Sequence, residues 1–411
     1  MQRNRKITAY DLVESVLFSK FETDKLSLND HCAYLLVHKG IIVRKQSVDG
    51  RFNEKAVKFV KELLEQTLSE ELIRSNSFPV LDRFSKVRIK DSVSFQLPDC
   101  LKDAYPGSGG AASKAMAKIQ FEYDFLSRQV IELAVTPFTK NDSSSARDAV
   151  DNIQSGELIL RDLGYVSITN MKTISEEKGS FFLNKLNTST TAFFRKNQNQ
   201  VYFHELESKM RQNGIAFQEH EVYIGKEHMF PVRMIVSLVS EENKQHRIRE
   251  RRKWAKSKKQ AVSDEALARC GLNIYITNAS AELLPLKTIV PIYGIRWQIE
   301  NIFKVWKSIG AIHKVKKTSI ERFEFYLFAK LIFLVKSWHV MRIIEWITHS
   351  TISYYKYLKT ASLLGWKQMD LIAKKLVQAV GINQLIIKDF RKDRIHEKSL
   401  NNILYNCISI K

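Results

Sequence analysis

At 411 residues, with 44% hydrophobic side chains and only 15 Gly and 7 Pro, the chain is too long for one ordinary core and too apolar to be disordered or fibrous, so roughly two to four folded parts are expected. Lys and Arg number 65 against 44 Asp and Glu, a net charge of +21 with a pI near 9.6. Such an excess favours a polyanionic partner, nucleic acid before any other, through steering and counterion release; the plain alternative is that it only keeps the protein in solution.

Cys32, Cys100, Cys270 and Cys407 stand far apart, with no C-x-x-C pair and no nearby His at zinc-ligand spacing. Neither a disulfide framework nor a structural metal is indicated, and a reducing cytosol fits. The opening MQRNRKITAYDL has basic residues but no apolar run behind them, which excludes a signal peptide of the usual form. The longest apolar stretch, Phe323 to Ile347, is broken by Lys330, Lys336, His339, Arg342 and Glu345 and reads as a buried helix rather than a membrane span.

From Thr8 to about Leu72, apolar residues recur three and four apart, as in AYDLVESVLF and EKAVKFVKELLEQ, which is the helical period. Between these, SLNDHCAYLLVHKGIIVRKQSVDGRF reads as a capped helix, a turn at Gly40 and a second short helix carrying Arg44, Lys45, Gln46 and Arg51. This is either a helix-turn-helix that sets cations against DNA or a helical hairpin with no such role. From Lys86 the period falls to two: VRIKDSVSF, KIQFEYDFLSRQVIELAVTP and ELILRDLGYV are predicted strands, separated by turns and by a helical SSARDAVDNIQ. The Gly-rich YPGSGGAASK lacks the terminal GK[ST] of a phosphate-binding P-loop. FFLNKLN, STTAFFRK, AFQEHEVYIG, FPVRMIVSLV and LNIYITN predict a β-rich insertion over residues 179–281, and after residue 284 the chain is helical, with no internal repeat.

Chemistry enters with three acids. Asp91 shares strand parity with Val87, Ile89, Val93 and Phe95, and Asp162 follows Leu158 and Leu160, so both carboxylates are expected on buried faces. An ionised carboxylate is costly to bury without a pairing group or a metal, although an Asp at a strand end also commonly caps the next turn. The third acid lies in IVPIYGIRWQIENIFKVWKSIG. At about 100° per residue, Tyr293, Arg296, Glu300 and Lys307 fall within roughly a 60° arc, while Ile295, Ile299, Ile302 and Trp306 fall on roughly the opposite side. One acid flanked by two cations and a phenol suits a phosphate held beside a metal ligand; a salt-bridged surface helix is the alternative.

The spacing Y-x2-R-x3-E-x6-K formed by Tyr293, Arg296, Glu300 and Lys307 resembles the signature of the insertion sequence 4 family of bacterial DDE transposases. DSVSFQLPD around Asp91 and ILRDLGY around Asp162 resemble that family's first and second acidic motifs, in the same order, and the likeness covers about residues 85 to 320. It implies an α/β, ribonuclease H-like catalytic core interrupted by a β-rich insertion, with helical N-terminal and C-terminal regions. The expected parts are a helical DNA-binding domain at 1–84, the first part of the core at 85–178, the insertion at 179–281, the acidic helix at 282–320 and a helical region at 321–411. The resemblance also implies that Asp91, Asp162 and Glu300 bind two Mg²⁺ ions, with Mn²⁺ able to substitute. These would activate water for strand cleavage and then a 3′ hydroxyl for strand transfer. Arg296 and Lys307 would neutralise phosphate and Tyr293 would contact the DNA backbone. The implied partners are double-stranded DNA, as terminal inverted repeats and target, and a second copy of the chain in a DNA-bound synaptic complex, in the bacterial cytoplasm with the nucleoid and without a membrane. Some relatives stack a flipped base on a Trp in the strand before the acidic helix; LNIYITN has none, and Tyr275 is the residue that would substitute.

Within the insertion, residues 244–260 carry nine Lys or Arg against the single Glu250. Beside a DNA-cutting core, Arg249, Arg251, Arg252, Lys253 and Trp254 form a candidate phosphate-tracking surface rather than a merely solvated helix. Two other functions use the same residues: a metal-dependent nuclease that cuts without joining, and an inactive, transposase-derived DNA-binding regulator.

Overall fold

The N-terminal helical period is realised as α1 (Ala9–Ser19), α2 (Leu28–Lys39), α3 (Lys45–Asp49) and α4 (Glu54–Leu68). The computed structural model describes residues 7–19, 23–68, 79–109, 114–140, 150–187, 190–348 and 352–364. Ser27 caps α2: its hydroxyl accepts from the Asp30 N–H while the Asp30 carboxylate accepts from the Ser27 N–H, a reciprocal capping box. Gly40 ends the helix at φ 65°, a left-handed conformation that costs glycine little. α3 then buries only Val48 and leaves Arg44, Lys45 and Gln46 exposed.

The chain continues through β1 (Val87–Leu97), β2 (Ala115–Asp124), β3 (Val130–Pro137) and β4 (Leu158–Arg161). Next come α5 (Ile168–Lys172), β5 (Phe181–Lys185), β6 (Ala192–Arg195), β7 (Gln198–Gln200), α6 (Phe203–Gln212), β8 (Phe217–Ile224) and β9 (Phe230–Leu238). After α7 (Glu241–Ser257), α8 (Asp264–Ala268) and β10 (Leu272–Thr277) the remaining described elements are helical: α9 (Leu286–Gly294), α10 (Trp297–Ser308), α11 (Ile320–Thr348) and α12 (Tyr354–Leu364); the rest of the expected helical region, 365–411, lies outside the described residues. The first half of the helical SSARDAVDNIQ and the centre of YPGSGGAASK lie outside the described residues. Among the described residues no helix is long and apolar enough to cross a membrane.

These elements form two compact units. The first draws on the described residues within Met1–Asn76, Asp91–Lys140 and Trp297–Ser399. Its strands run in the order β3-β2-β1, with β2 antiparallel to β3. α4 packs along α11 through Val57, Val60 and Leu64, and Lys61 reaches Glu324 at 2.8 Å. Buried His31 bridges α1 and α11, its ring nitrogens 2.8 Å from Ser15 Oγ and 2.7 Å from Tyr326 Oη. Burial, with the Arg322 charge adding to it, holds this imidazole down to about 4, so it stays neutral and serves as a hydrogen-bonding bridge.

The second unit draws on Ser77–Lys90 and Asn141–Arg296. Its strand order is β1-β4-β5-β10-β9-β8-β6-β7, with β4 parallel to β1 and to β5, and β10 antiparallel to β5 and β9. The strands of residues 179–281 therefore continue the ladder that β4 begins. β4 is buried along its whole length, as a parallel strand covered on both faces must be. Ile159, Phe182, Phe203, Met234, Val236 and Ile276 belong to one core cluster, each such side chain contributing about 1.5–3 kcal/mol.

Strand β1 also carries Arg88, 2% exposed, whose guanidinium lies 3.1 Å from fully buried Glu157 and donates to the Asn152 carbonyl at 2.9 Å. Removing one partner of such a pair strands a buried charge. Glu157→Ala is expected to cost about 3–5 kcal/mol in urea unfolding, and adding Arg88→Met should recover most of the loss. A cost below about 1 kcal/mol would mean that Arg88 is balanced elsewhere.

Candidate active site

The four apolar face-mates of Asp91, namely Val87, Ile89, Val93 and Phe95, are all buried, as strand parity predicts. Arg88 and Lys90 on the other face are buried too. Asp91 itself is half-buried, its Oδ1 accepting the Ser92 N–H at 2.8 Å. The parallel ladder pairs Lys90 with Arg161, and the next residue along each strand is an acid, Asp91 and Asp162 respectively.

Asp162 is more open than the strand pattern predicts, with a side chain 48% exposed. The reason is that β4 ends at Arg161 and the chain turns at once into the 3-10 turn Leu163–Tyr165. Asp162 occupies the cap position of that turn, yet its side chain makes no capping hydrogen bond, so the capping role does not account for it. Arg296 Nε lies 3.8 Å from its Oδ1.

The stretch holding Tyr293, Arg296, Glu300 and Lys307 is not one uninterrupted helix. α9 ends at Gly294 and α10 begins at Trp297, with Ile295 and Arg296 between them in tight turns whose N–H groups donate to Ile292 O and Tyr293 O, both at 3.1 Å. Pro291 inside α9 supplies no N–H to the helix ladder and Gly294 is a weak helix former, which together locate the break. Tyr293 thus lies in the last turn of one helix and Arg296 in the break after it, while half-buried Glu300 lies in the first turn of the next helix and Lys307 in its last. Ile295, Ile299, Ile302 and Trp306 are buried, as the apolar arc predicts.

Around Asp162 and Arg296 the second unit gathers a compact polar cluster. The Tyr293 ring meets Tyr275 edge-on at 5.3 Å, and the Arg296 guanidinium lies 5.9 Å from its centroid. Burial pushes the Tyr293 phenol up to about 12, with Arg296 pulling the other way, so it is a neutral donor. Its buried hydroxyl makes no well-formed hydrogen bond, with the Arg296 side chain close enough to act on it, so it retains capacity to donate to an incoming oxygen.

Lys185 joins this cluster without any motif signature in the sequence. It closes β5, stands opposite Tyr275 in the antiparallel ladder, and sets its ammonium 5.5 Å from the Tyr293 centroid. The sign visible in the sequence is a lone Lys in the apolar run FFLNKLN. Burial lowers its pKa, the Arg247 and Arg296 charges lower it further, and Asp162 only partly offsets them. The folded state therefore binds this proton less well than the unfolded chain, and stability rises with pH between the lowered pKa and the ordinary Lys value. Lys185→Met is expected to raise the thermal midpoint at neutral pH while lowering the salt slope of DNA binding by about 0.9, one phosphate contact. An unchanged slope would leave Lys185 with no part in binding.

α7 bears the basic run on a helix that buries only Ile248 and Ala255. Arg249, Arg252 and Lys253 are exposed, Trp254 is 46% exposed, and the Arg251 guanidinium lies 5.0 Å from the Trp254 centroid. Arg247 is turned inward instead, donating to Leu272 O at 3.3 Å and Asn273 Oδ1 at 2.9 Å, which fastens α7 to β10. Among the described residues, no three His, Cys, Asp or Glu side chains gather as a group able to hold a metal ion.

A strand that runs out into an acid beside Arg296 and Lys185, with a basic helix tied to the same sheet, is an α/β arrangement whose charges suit phosphate. The chain belongs to the transposase DDE domain family, which matches residues 82–335, and is a DNA transposase. The transposase for insertion sequence element IS231C of Bacillus thuringiensis subsp. berliner is 33% identical over 349 residues, 81% of this chain and 73% of the relative. The transposase for IS231F of Bacillus thuringiensis subsp. israelensis is 31% identical over 351 residues, with the same two coverages. The transposase for IS1151 of Clostridium perfringens is 30% identical over 356 residues, 82% of this chain and 74% of the relative. Among solved structures, a piggyBac transposase synaptic complex with hairpin DNA is similar at TM-score 0.47 and 10% identity, over 98% of this chain and 79% of that chain.

Proposed function

We propose that this chain is the transposase of a bacterial insertion sequence of the insertion sequence 4 type, binding the terminal inverted repeats of its element and cleaving and joining strands with Asp91, Asp162 and Glu300. The observation that carries the reading is the β1–β4 ladder: Lys90 pairs with Arg161, and each is followed by one of the two strand acids. A ribonuclease H-like core is supported by the order β3-β2-β1 in one unit and β1-β4-β5 in the other, with β1, β4 and β5 parallel.

The proposed donors are three carboxylates, hard oxygen ligands whose chemistry suits Mg²⁺ and Mn²⁺ rather than zinc or copper, although the described residues do not gather three of them into a metal-holding group. Asp162, half-exposed and capping nothing, has the freedom a ligand needs. Asp91, Asp162 and Glu300 would hold divalent ions, which when bound would supply Lewis acidity toward the attacking oxygen and the phosphodiester. The chain's own groups do the rest. Arg296 presents a planar fork to a phosphate and steadies Asp162, Lys185 and Lys307 add charge, and the neutral Tyr293 hydroxyl donates to a backbone oxygen. The exposed cations of α3 and α7 hold flanking duplex, and two copies of the chain bring the two element ends together.

The test is incubation of purified protein with Mg²⁺ and a plasmid carrying the element's two ends. Cleavage at the ends with joined products is expected. Cleavage without joining would make the chain a nuclease, and binding without cleavage would make it a regulator.

A further inference from the structure

In the second unit, Glu207 of α6 is a buried carboxylate that the chemistry proposed above does not use. It is 6% exposed and lies on the helix face that also buries Phe203, Leu206 and Met210. An ion so far from water needs cations against it, and two helices supply them. Arg211, one turn along α6, donates to Glu207 Oε1 at 2.8 Å, and Lys244 of α7 sets its ammonium 2.6 Å from the same oxygen. Arg211 also donates to Val239 O at 3.3 Å and lies 3.7 Å from the Glu241 carboxylate. The chain leaving β9 and the first turn of α7 are therefore both tied to α6.

Gly271, the last residue before β10, leaves room for this contact. A β-carbon there would collide with Glu207 Oε1 and stand 3.1 Å from Lys244 Cδ. Its backbone is not left-handed, so space rather than conformation calls for glycine here.

α7 depends on such ties. It buries only Ile248 and Ala255 and so lacks the broad apolar stripe that seats an ordinary helix. Lys244 and Arg247, three residues apart and thus on one side of the helix, fasten it to α6 and to β10. Arg249, Arg252 and Lys253 are left exposed.

We infer that Glu207 is a positioning residue for DNA binding: by gripping Lys244 it fixes the rotation at which α7 presents its exposed cations to duplex phosphates. The inference rests on the reading of α7 as a phosphate-holding helix and extends it to a residue that touches no DNA itself. Orientation and charge act here with opposite signs. Removing an acid makes the chain more positive, which by itself strengthens DNA binding, whereas releasing α7 weakens it.

The probe is a fluorescent blunt duplex of the element's end, read by anisotropy with the full chain from low to high salt. Glu207→Gln keeps the shape of the side chain, and Gly271→Ala pushes the same carboxylate off Lys244 with no change in net charge. Each should weaken binding about tenfold, on the scale of coupling within one ion-pair network. Each should also lower the salt slope by about one to two units, at about 0.9 per phosphate contact. Glu207→Gln added to Lys244→Gln should cost nothing further, because the grip is already gone. Unchanged or tighter binding by Glu207→Gln, or losses that add in the double variant, would overturn the inference. Should thermal melting show that Glu207→Gln does not fold, Gly271→Ala decides, and normal binding by it is the overturning result. An unaltered slope when Arg249, Arg251, Arg252 and Lys253 are all replaced by Ala would instead bring down the reading of α7. If that variant flattens the slope while Glu207→Gln and Gly271→Ala bind like the unaltered chain, the positioning role alone falls.

Discussion

Asp162→Ala is expected to abolish end cleavage while leaving DNA binding intact or stronger. The loss should exceed the roughly 10–100-fold that follows removal of an outer-shell partner of a metal ligand. Binding should not suffer, because the substitution removes a carboxylate from beside Arg296, 3.8 Å away, and from the neighbourhood of Lys185. The cluster becomes more positive and holds phosphate better. Folding should be unaffected, since the Asp162 side chain is half-exposed and caps no turn. Asp91→Ala and Glu300→Ala should share the defect in cleavage. Single-turnover cleavage of a labelled oligonucleotide at saturating protein isolates chemistry from affinity. Normal cleavage by any one of the three variants would remove that residue from the site.

The second large effect lies on α7. Replacing Arg249, Arg251, Arg252 and Lys253 together with Ala should flatten the salt dependence of DNA binding by roughly three to four units of slope, at about 0.9 per phosphate contact. Alanine is the best helix former, and the residues that anchor α7, Ile248, Ala255 and Arg247, are untouched, so the helix should remain. Arg247 is excluded from the set because its guanidinium is committed to β10. Affinity measured from low to high salt is the readout, and an unaltered slope would reduce the run to a solvated face.

What the sequence determined by itself is whatever depends on neighbours along the chain. The capping box at Ser27 and Asp30, the turn at Gly40, the period-two strands from Val87, and the buried arc of Ile295, Ile299, Ile302 and Trp306 all rest on side chains at most a few turns apart. The three acids proposed for chemistry stand out in the sequence because each lies in a short motif and the motifs come in an order that resembles a known family's.

Tertiary structure decided what depends on distant pairing. Lys90 meets Arg161, and Lys185 meets Tyr275, through ladders joining segments far apart in sequence, and strand patterns fix parity but not partners. Lys185 therefore enters the cluster only once β5 and β10 are paired. The exposure of Asp162 follows from where β4 stops. A cavity of about 690 Å³ lined by α10 and α11 is a packing outcome: its cations come from positions as separate as Arg128 and Arg342, and only the folded chain sets them around one space.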